Sequence, residues 1–247
     1  MTRAHEVAAG LDAVQRRIAR AAEACDRDPA EVTLVVVTKF FPSSDVRILA
    51  DLGVRHVGEN RHQEAVGKSA ECSDLDLTWH FIGGLQSNKA AAVAGYSDVV
   101  ESVDRLKLVG PLARGAQERR DLPALDGAGQ VRPGRDPLEV LLQVSLDPPD
   151  ARGRAGADPA ELDALAAAVH EAPALHLGGL MAVAPLGEDP DAAFARLADI
   201  WAEFRSRHPE ARTLSAGMSG DLEAAIKHGA THVRVGSAVL GPRPAVL

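Results

Sequence analysis

The chain has 247 residues, of which 46% are hydrophobic, 25% charged and only 3% aromatic, and its formal net charge is −8 at pH 7. Apolar and charged fractions of this size belong to a soluble globular protein, and the longest unbroken aliphatic run, Leu-Val-Val-Val at 34–37, is far short of the roughly 20 residues of a membrane span. An acidic chain repels polyanions, which argues against nucleic-acid binding.

Val7, Leu11, Val14 and Ile18 recur at steps of four, three and four, one apolar stripe of a helix whose Arg16, Arg17 and Arg20 point elsewhere. The stripe is too short for a coiled coil, so the helix is expected to pack onto the domain. These first residues contain no apolar core of a secretory signal, and a cytoplasmic location is expected. Cys25 and Cys72 stand alone, without a CxxC pattern, and read as reduced thiols.

From 33 the pattern changes to a β-branched apolar run, 33–38, that reads as a buried parallel strand. Ser43 is expected to cap the following helix, with Val46, Ile48, Leu49 and Leu52 as its apolar positions. A short strand at 54–57 and a helix from about Arg61 come next. Further strands are expected at 78–82, 98–102, 138–144, 175–181, 212–215 and 232–235. Helices at 87–95, 104–120, 159–171, 190–207 and 219–228 separate them. The stretches 121–137 and 147–159, rich in Pro, Gly, Asp and Arg, read as loops around the fifth strand.

Eight strand–helix steps in this length predict a single α/β domain over 1–247, a closed (β/α)8 TIM barrel with an extra N-terminal helix. An open dinucleotide-binding sheet would place a GxGxxG turn after the first strand, where this chain has Lys39-Phe40-Phe41-Pro42. With so few aromatic residues no interface patch is evident, and a monomer is expected.

In such a barrel the C-terminal strand ends face the site. Lys39 ends the first strand. There it is a desolvated amine able to form a Schiff base with an aldehyde, a lysine snorkelling out of the barrel mouth, or the partner of Glu59 or another rim carboxylate. Gly236-Ser237 after the eighth strand, and Gly217-Met218-Ser219-Gly220 opening the helix after the seventh, offer N–H groups and hydroxyls where barrels bind phosphate. Arg234 lies within the eighth strand and must be paired, to Glu59 or Glu101 if the pairing is purely structural. No histidine pair has zincin spacing, so no metal site is expected; His80 reads as a hydrogen-bonded core residue, and no GxSxG turn supports a serine nucleophile. An amine, a phosphate cradle and an arginine on one rim point to a phosphorylated aldehyde. Pyridoxal 5′-phosphate leads; a sugar phosphate on a Schiff-base aldolase is the alternative.

Val37-Thr38-Lys39, Gly58-Glu59-Asn60 with the residues to Glu64, and the run from Trp79 to Lys89 resemble the pyridoxal phosphate homeostasis proteins, the YggS/PROSC family. So do Gly179-Leu180-Met181, the run from Ser215 to Asp221, and Val233-Arg234-Val235-Gly236-Ser237, all in order between about residue 10 and 242. The resemblance implies a barrel like the N-terminal domain of alanine racemase. Lys39 would carry the cofactor as a Schiff base. Ser219, Gly236 and Ser237 would hold its phosphate with Met218 alongside, Arg234 would face the pyridine nitrogen, and Asn60 would line the site. It also implies a binding and delivery role in vitamin B6 balance, with apo-enzymes as recipients and no established reaction. Phe40-Phe41, Arg61-His62 and Gly84 depart from residues common in the family. A fold-type III racemase needs a tyrosine as second base. The single tyrosine, Tyr96, is expected at the opposite end of the barrel, and no second domain is expected after the eighth strand. A weak enzyme acting on amino acids is the runner-up.

Overall fold

The computed structural model describes residues 2–121, 124–125, 131–132, 136–147 and 155–242. The chain opens with helix α1 (Arg3–Glu23), followed by β1 (Thr33–Val37), α2 (Ser43–Asp51), β2 (His56–Glu59), α3 (His62–Glu71), β3 (Thr78–Phe81), α4 (Ala90–Ala94) and β4 (Val99–Val103). After α5 (Val109–Asp121) a small antiparallel ribbon pairs β5 (Ala124–Leu125) with β6 (Val131–Arg132). Then come β7 (Leu138–Gln143), α6 (Leu162–His170), β8 (Leu175–Met181), α7 (Pro190–Arg207), β9 (Thr213–Ser215), α8 (Leu222–Lys227), β10 (His232–Val235) and α9 (Ser237–Leu240). Eight parallel strands close in the order β1-β10-β9-β8-β7-β4-β3-β2, the barrel expected from the strand–helix alternation.

The apolar strands are buried on both faces, as parallel strands under helices must be. Two clusters fill the space between strands and helices. One gathers α1, α2, α8 and α9 against β1, β2 and β10; the other gathers α4 to α7 against the remaining strands. The α1 stripe lies buried in the first of these, all four expected residues included. Gly10 brings that helix onto α9 at backbone distance: a Cβ there would stand 2.3 Å from the carbonyl oxygen of Val239. The N-terminal helix is therefore a brace for the last βα loop, and this matters for the site.

Several local expectations are corrected. The second strand runs over His56–Glu59 rather than 54–57; Val54 is buried but precedes the ladder, and the polar Glu59 belongs to it. Ser43 is the first residue of α2, whose N-cap is Pro42 with no side-chain cap bond, so the cap expected from Ser43 is absent. Leu52, expected on the apolar face, is 40% exposed at the helix end. The helix after the seventh strand begins at Leu222 rather than 219. Helix 87–95 shortens to α4, and 104–120 divides into a 3-10 turn at Leu106–Leu108 and α5. The ribbon β5–β6 falls inside the stretch expected as loop at 121–137; residues 148–154 of the second loop lie outside the described residues.

Candidate functional site

Strand pairing sets the site. Val37 pairs with Gly58 on one side of β1, and Val36 pairs with Val235 on the other. Past those pairs the Thr38 N–H still donates to the Gly58 carbonyl at 2.9 Å, and Lys39 follows it, while Asn60 and Gly236-Ser237 follow the flanking strands β2 and β10. The amine, the asparagine and the Gly236-Ser237 turn thus share one arc of the rim. Lys39 is half-buried and begins a tight turn in which Phe40 takes φ of +70°, a left-handed conformation that a phenylalanine adopts only when its surroundings impose it. Around it the Phe40 N–H donates to Glu64 Oε2 at 2.9 Å, and the Arg61 guanidinium lies 4.7 Å from the ring centre. Phe40 and Arg61, both expected to depart from residues common in the family, therefore touch each other. Beyond them, Asn60, Arg61, His62, Gly84, Gln86 and Lys89 help line a cavity of about 310 Å³.

Behind the lysine lies a residue that sequence reasoning missed. Lys68, buried on α3, donates from Nζ to the Thr38 carbonyl at 2.9 Å and to Glu59 Oε1 at 2.5 Å, and the Thr38 hydroxyl donates to the same carboxylate oxygen. Glu59 is thus the partner of Lys68. Burial raises its carboxyl pKa, and the Lys68 charge and the hydrogen bonds from Lys68 and Thr38 offset only part of that rise. The signal was faint: a lysine in register with Ala65 on the apolar face of a short helix.

Arg234 is almost fully buried. Its Nη1 donates to Ser215 Oγ at 2.7 Å and its Nη2 to the Ala182 carbonyl at 2.9 Å. Ser215 Oγ in turn donates to Glu101 Oε2 at 2.6 Å, and the arginine lies 3.7 Å from that oxygen, so of the two carboxylates considered Glu101 is the one beside it. His80 Nδ1 meets Glu101 Oε1 at 2.8 Å, and His56 Nδ1 meets His80 Nε2 at 3.0 Å. His80 is the hydrogen-bonded core residue expected. Burial alone would raise the Glu101 pKa. The hydrogen bond and charge of His80, with Arg234 and Ser215, outweigh it and bring the value down to about 2. Burial and the neighbouring His80 lower the His232 pKa to about 4.

Gly217 has φ of +91°, and a Cβ on it would meet Ala225 Cβ at 2.6 Å. A Cβ on Gly236 would meet the Val37 carbonyl oxygen at 3.1 Å. Ser219 is half-buried and Ser237 exposed, while Met218 projects from the rim, 39% exposed. Because α8 starts at Leu222, with Asp221 at its N-cap, Ser219 does not open that helix as expected. It is α1 that steadies this loop: Arg17 Nη2 donates to the Ser219 carbonyl at 3.0 Å and its Nε to Glu223 at 2.7 Å.

Tyr96 lies between α4 and β4 as expected, but its ring reaches His62, the first residue of α3, stacking on it at 5.8 Å between centroids. Burial, with the Glu59 charge, pushes its hydroxyl pKa up.

Comparison with known proteins shows the family. The family model described as alanine racemase, N-terminal domain, matches residues 10–244. A pyridoxal phosphate homeostasis protein of Mycobacterium tuberculosis is 43% identical over 254 residues, covering 98% of this chain and 94% of the relative. One of the same name from Escherichia coli K12 is 39% identical over 249 residues, covering 97% of each. PipY of Synechococcus elongatus, solved with PLP bound, superposes with a TM-score of 0.75 at 36% identity, covering 95% of this chain and all of PipY. Alanine racemase from Corynebacterium glutamicum shares the fold, with a TM-score of 0.65 at 15% identity, over 62% of its own length. By fold, by family model and by full-length similarity, this chain belongs to the alanine racemase N-terminal domain family and, within it, to the pyridoxal phosphate homeostasis proteins.

Proposed function

We propose that this chain binds pyridoxal 5′-phosphate through Lys39 and acts in homeostasis of that cofactor without a turnover of its own. The observation that supports the reading is the strand order, in which β1, followed by Lys39, lies between β2, followed by Asn60, and β10, followed by the Gly236-Ser237 turn. PipY, 36% identical, has been solved with PLP bound.

The residues fit the group. At Gly217 and Gly236 a side chain would press on Ala225 and on Val37, so both loops pack closely against the barrel beside the rim where a phosphate would sit. The N–H of Ser237, first in α9, has no partner within its own helix, and the Ser219 and Ser237 hydroxyls add donors. Met218 would lie alongside, and Asn60 would line the ring. When bound, the cofactor supplies an aldehyde that condenses with primary amines and a ring that withdraws electrons. Arg234 would face the ring nitrogen. An arginine keeps its charge and has no acceptor, so it disfavours a proton on that nitrogen and weakens electron withdrawal. Tyr96 is poorly suited to serve as a second base: its ring stacks against His62 on α3, and the raised pKa of its hydroxyl disfavours the phenolate.

In this reading residues 1–247 act as one domain and as a monomer in the cytoplasm, handing the cofactor to apo-enzymes. Among the described residues no helix is long and apolar enough to cross a membrane. The test is a visible absorption spectrum of the purified protein with added pyridoxal phosphate, before and after borohydride, with peptide mapping. A chromophore that borohydride fixes to Lys39 and that Lys39→Ala loses is the expected result. An unchanged spectrum in that variant overturns the site, and α-proton exchange in added amino acids overturns the absence of turnover.

A further inference from the structure

At the C-terminal ends of α6 and α7, His170, His208 and Glu210 each offer one ligand atom, and the three atoms lie within 4.8 Å of one another. His170 Nε2 is 2.8 Å from Glu210 Oε1, and His208 Nδ1 is 3.9 Å from the same oxygen. Tetrahedral zinc, with bonds of about 2.0–2.2 Å, separates its ligands by roughly 3.3 Å, a spacing those two distances bracket. The second ring nitrogen of His208 completes the pattern. Its Nε2 lies 3.2 Å from Asp163 Oδ1, and Arg207 holds that carboxylate at 2.9 Å. A carboxylate on the far nitrogen fixes the tautomer that leaves Nδ1 as a lone pair facing the cluster. Phe204 packs on the His208 ring at 4.5 Å between centroids, so the ring is held before any ion arrives.

We propose that His170 Nε2, His208 Nδ1 and a Glu210 carboxylate oxygen form a binding site for a borderline divalent cation of the zinc class, with water as the fourth ligand. Imidazole and carboxylate together suit zinc rather than the all-oxygen ligands of calcium or magnesium. Two helix C-termini converge here, and their partial negative charge favours a cation. Arg207 does not oppose it strongly, because it is engaged with Asp163 and Glu203. The sequence held no sign of this site: the ligands come from two helices and the turn before β9, and His170 and Glu210 are 40 positions apart. A bound ion would tie α6 to α7 on the side of the barrel away from Lys39.

The test is a zinc titration of the full chain, with and without pyridoxal phosphate, in competition with a chromophoric chelator. One equivalent bound at micromolar affinity is expected. His170→Gln and His208→Gln should each weaken it at least tenfold, and Asp163→Asn about tenfold through the tautomer of His208. His170 and Asp163 are exposed, so thermal melts of their variants without zinc should match the parent, and the double variant is read at a temperature where its own melt shows it folded, since His208 is only 13% exposed. Zinc binding that survives the His170→Gln/His208→Gln double variant would overturn the assignment, as would no competition at 100 µM zinc, on the order of a hundred times the expected dissociation constant. Because the readout is zinc occupancy, its failure would leave the cofactor reading at Lys39 untouched.

Discussion

Replacing Lys68 by methionine probes the link between the fold and the rim. The methionine keeps most of the buried stem and removes the charge, leaving Glu59, 1% exposed, without its cation and the Thr38 carbonyl without its lysine donor. Breaking a buried pair from one side costs about 3–5 kcal/mol, a large share of the roughly 5–15 kcal/mol of a typical domain. Glu59→Gln leaves the lysine charge stranded and should cost a similar amount. The double variant removes both charges and should be destabilised by little more than either single one, a coupling of about 2 kcal/mol or more in urea melts. The Glu59 carboxyl already titrates above its usual range because it is buried. In Lys68→Met it can take up a proton, so the penalty should shrink as pH falls. Uptake of pyridoxal phosphate, followed by absorbance, should weaken in parallel, since Thr38 precedes Lys39. Additive single effects, within about 0.5 kcal/mol, would refute the pairing. A pH-independent penalty would refute the protonation argument.

Two further outcomes follow from the site geometry. Gly217→Ala puts a Cβ 2.6 Å from that of Ala225 at positive φ, and should cost about 1–3 kcal/mol in a thermal or urea melt; a neutral result would mean the loop relaxes freely. His232 is held neutral in the fold, with its pKa near 4 against an ordinary 6.5. A depressed folded pKa contributes stability that is present above pH 6.5 and lost as pH falls towards 4, here about 2 kcal/mol between pH 7 and 4.5. His232→Gln should therefore flatten the urea-measured stability across that window, and an unchanged slope would remove His232 as its source. Glu101 acts in the same direction at lower pH, its contribution being lost as pH falls from about 4.5 through 2.

Much of the barrel was legible because its strands are apolar and its helices amphipathic. The run at 175–181 and helix 190–207 coincide with β8 and α7 to the residue. The second strand was misplaced because its ladder residues Gly58 and Glu59 carry no apolar signal, whereas Val54 does without belonging to it. The rim residues Lys39, Gly236 and Ser237 stood out as polar punctuation after apolar strands. Their supports did not, because each is a long-range contact: Lys68 reaches Thr38 across 30 positions and Arg17 reaches Ser219 across 202. Periodicity reports which face of an element is buried and is silent on which buried polar group it will meet.

The barrel interior illustrates what such contacts are for. A scaffold alone could fill that space as Val99, Leu141 and Met181 do, in an apolar cluster. Instead Glu101, Ser215, His80 and His56 form a chain of hydrogen bonds ending on Arg234. Buried ionic groups seldom stabilise a fold more than apolar residues of the same volume would, so stability does not account for this chain. Rigidity does. With Nη1 on Ser215 and Nη2 on the Ala182 carbonyl, the guanidinium cannot swing, and Glu101 keeps its charge compensated at every pH above about 2. An arginine needed only to neutralise a carboxylate would not require a second oriented carbonyl. In the reading proposed above, that fixed group would face the cofactor ring. The buried network thus serves to hold the Arg234 guanidinium in one orientation.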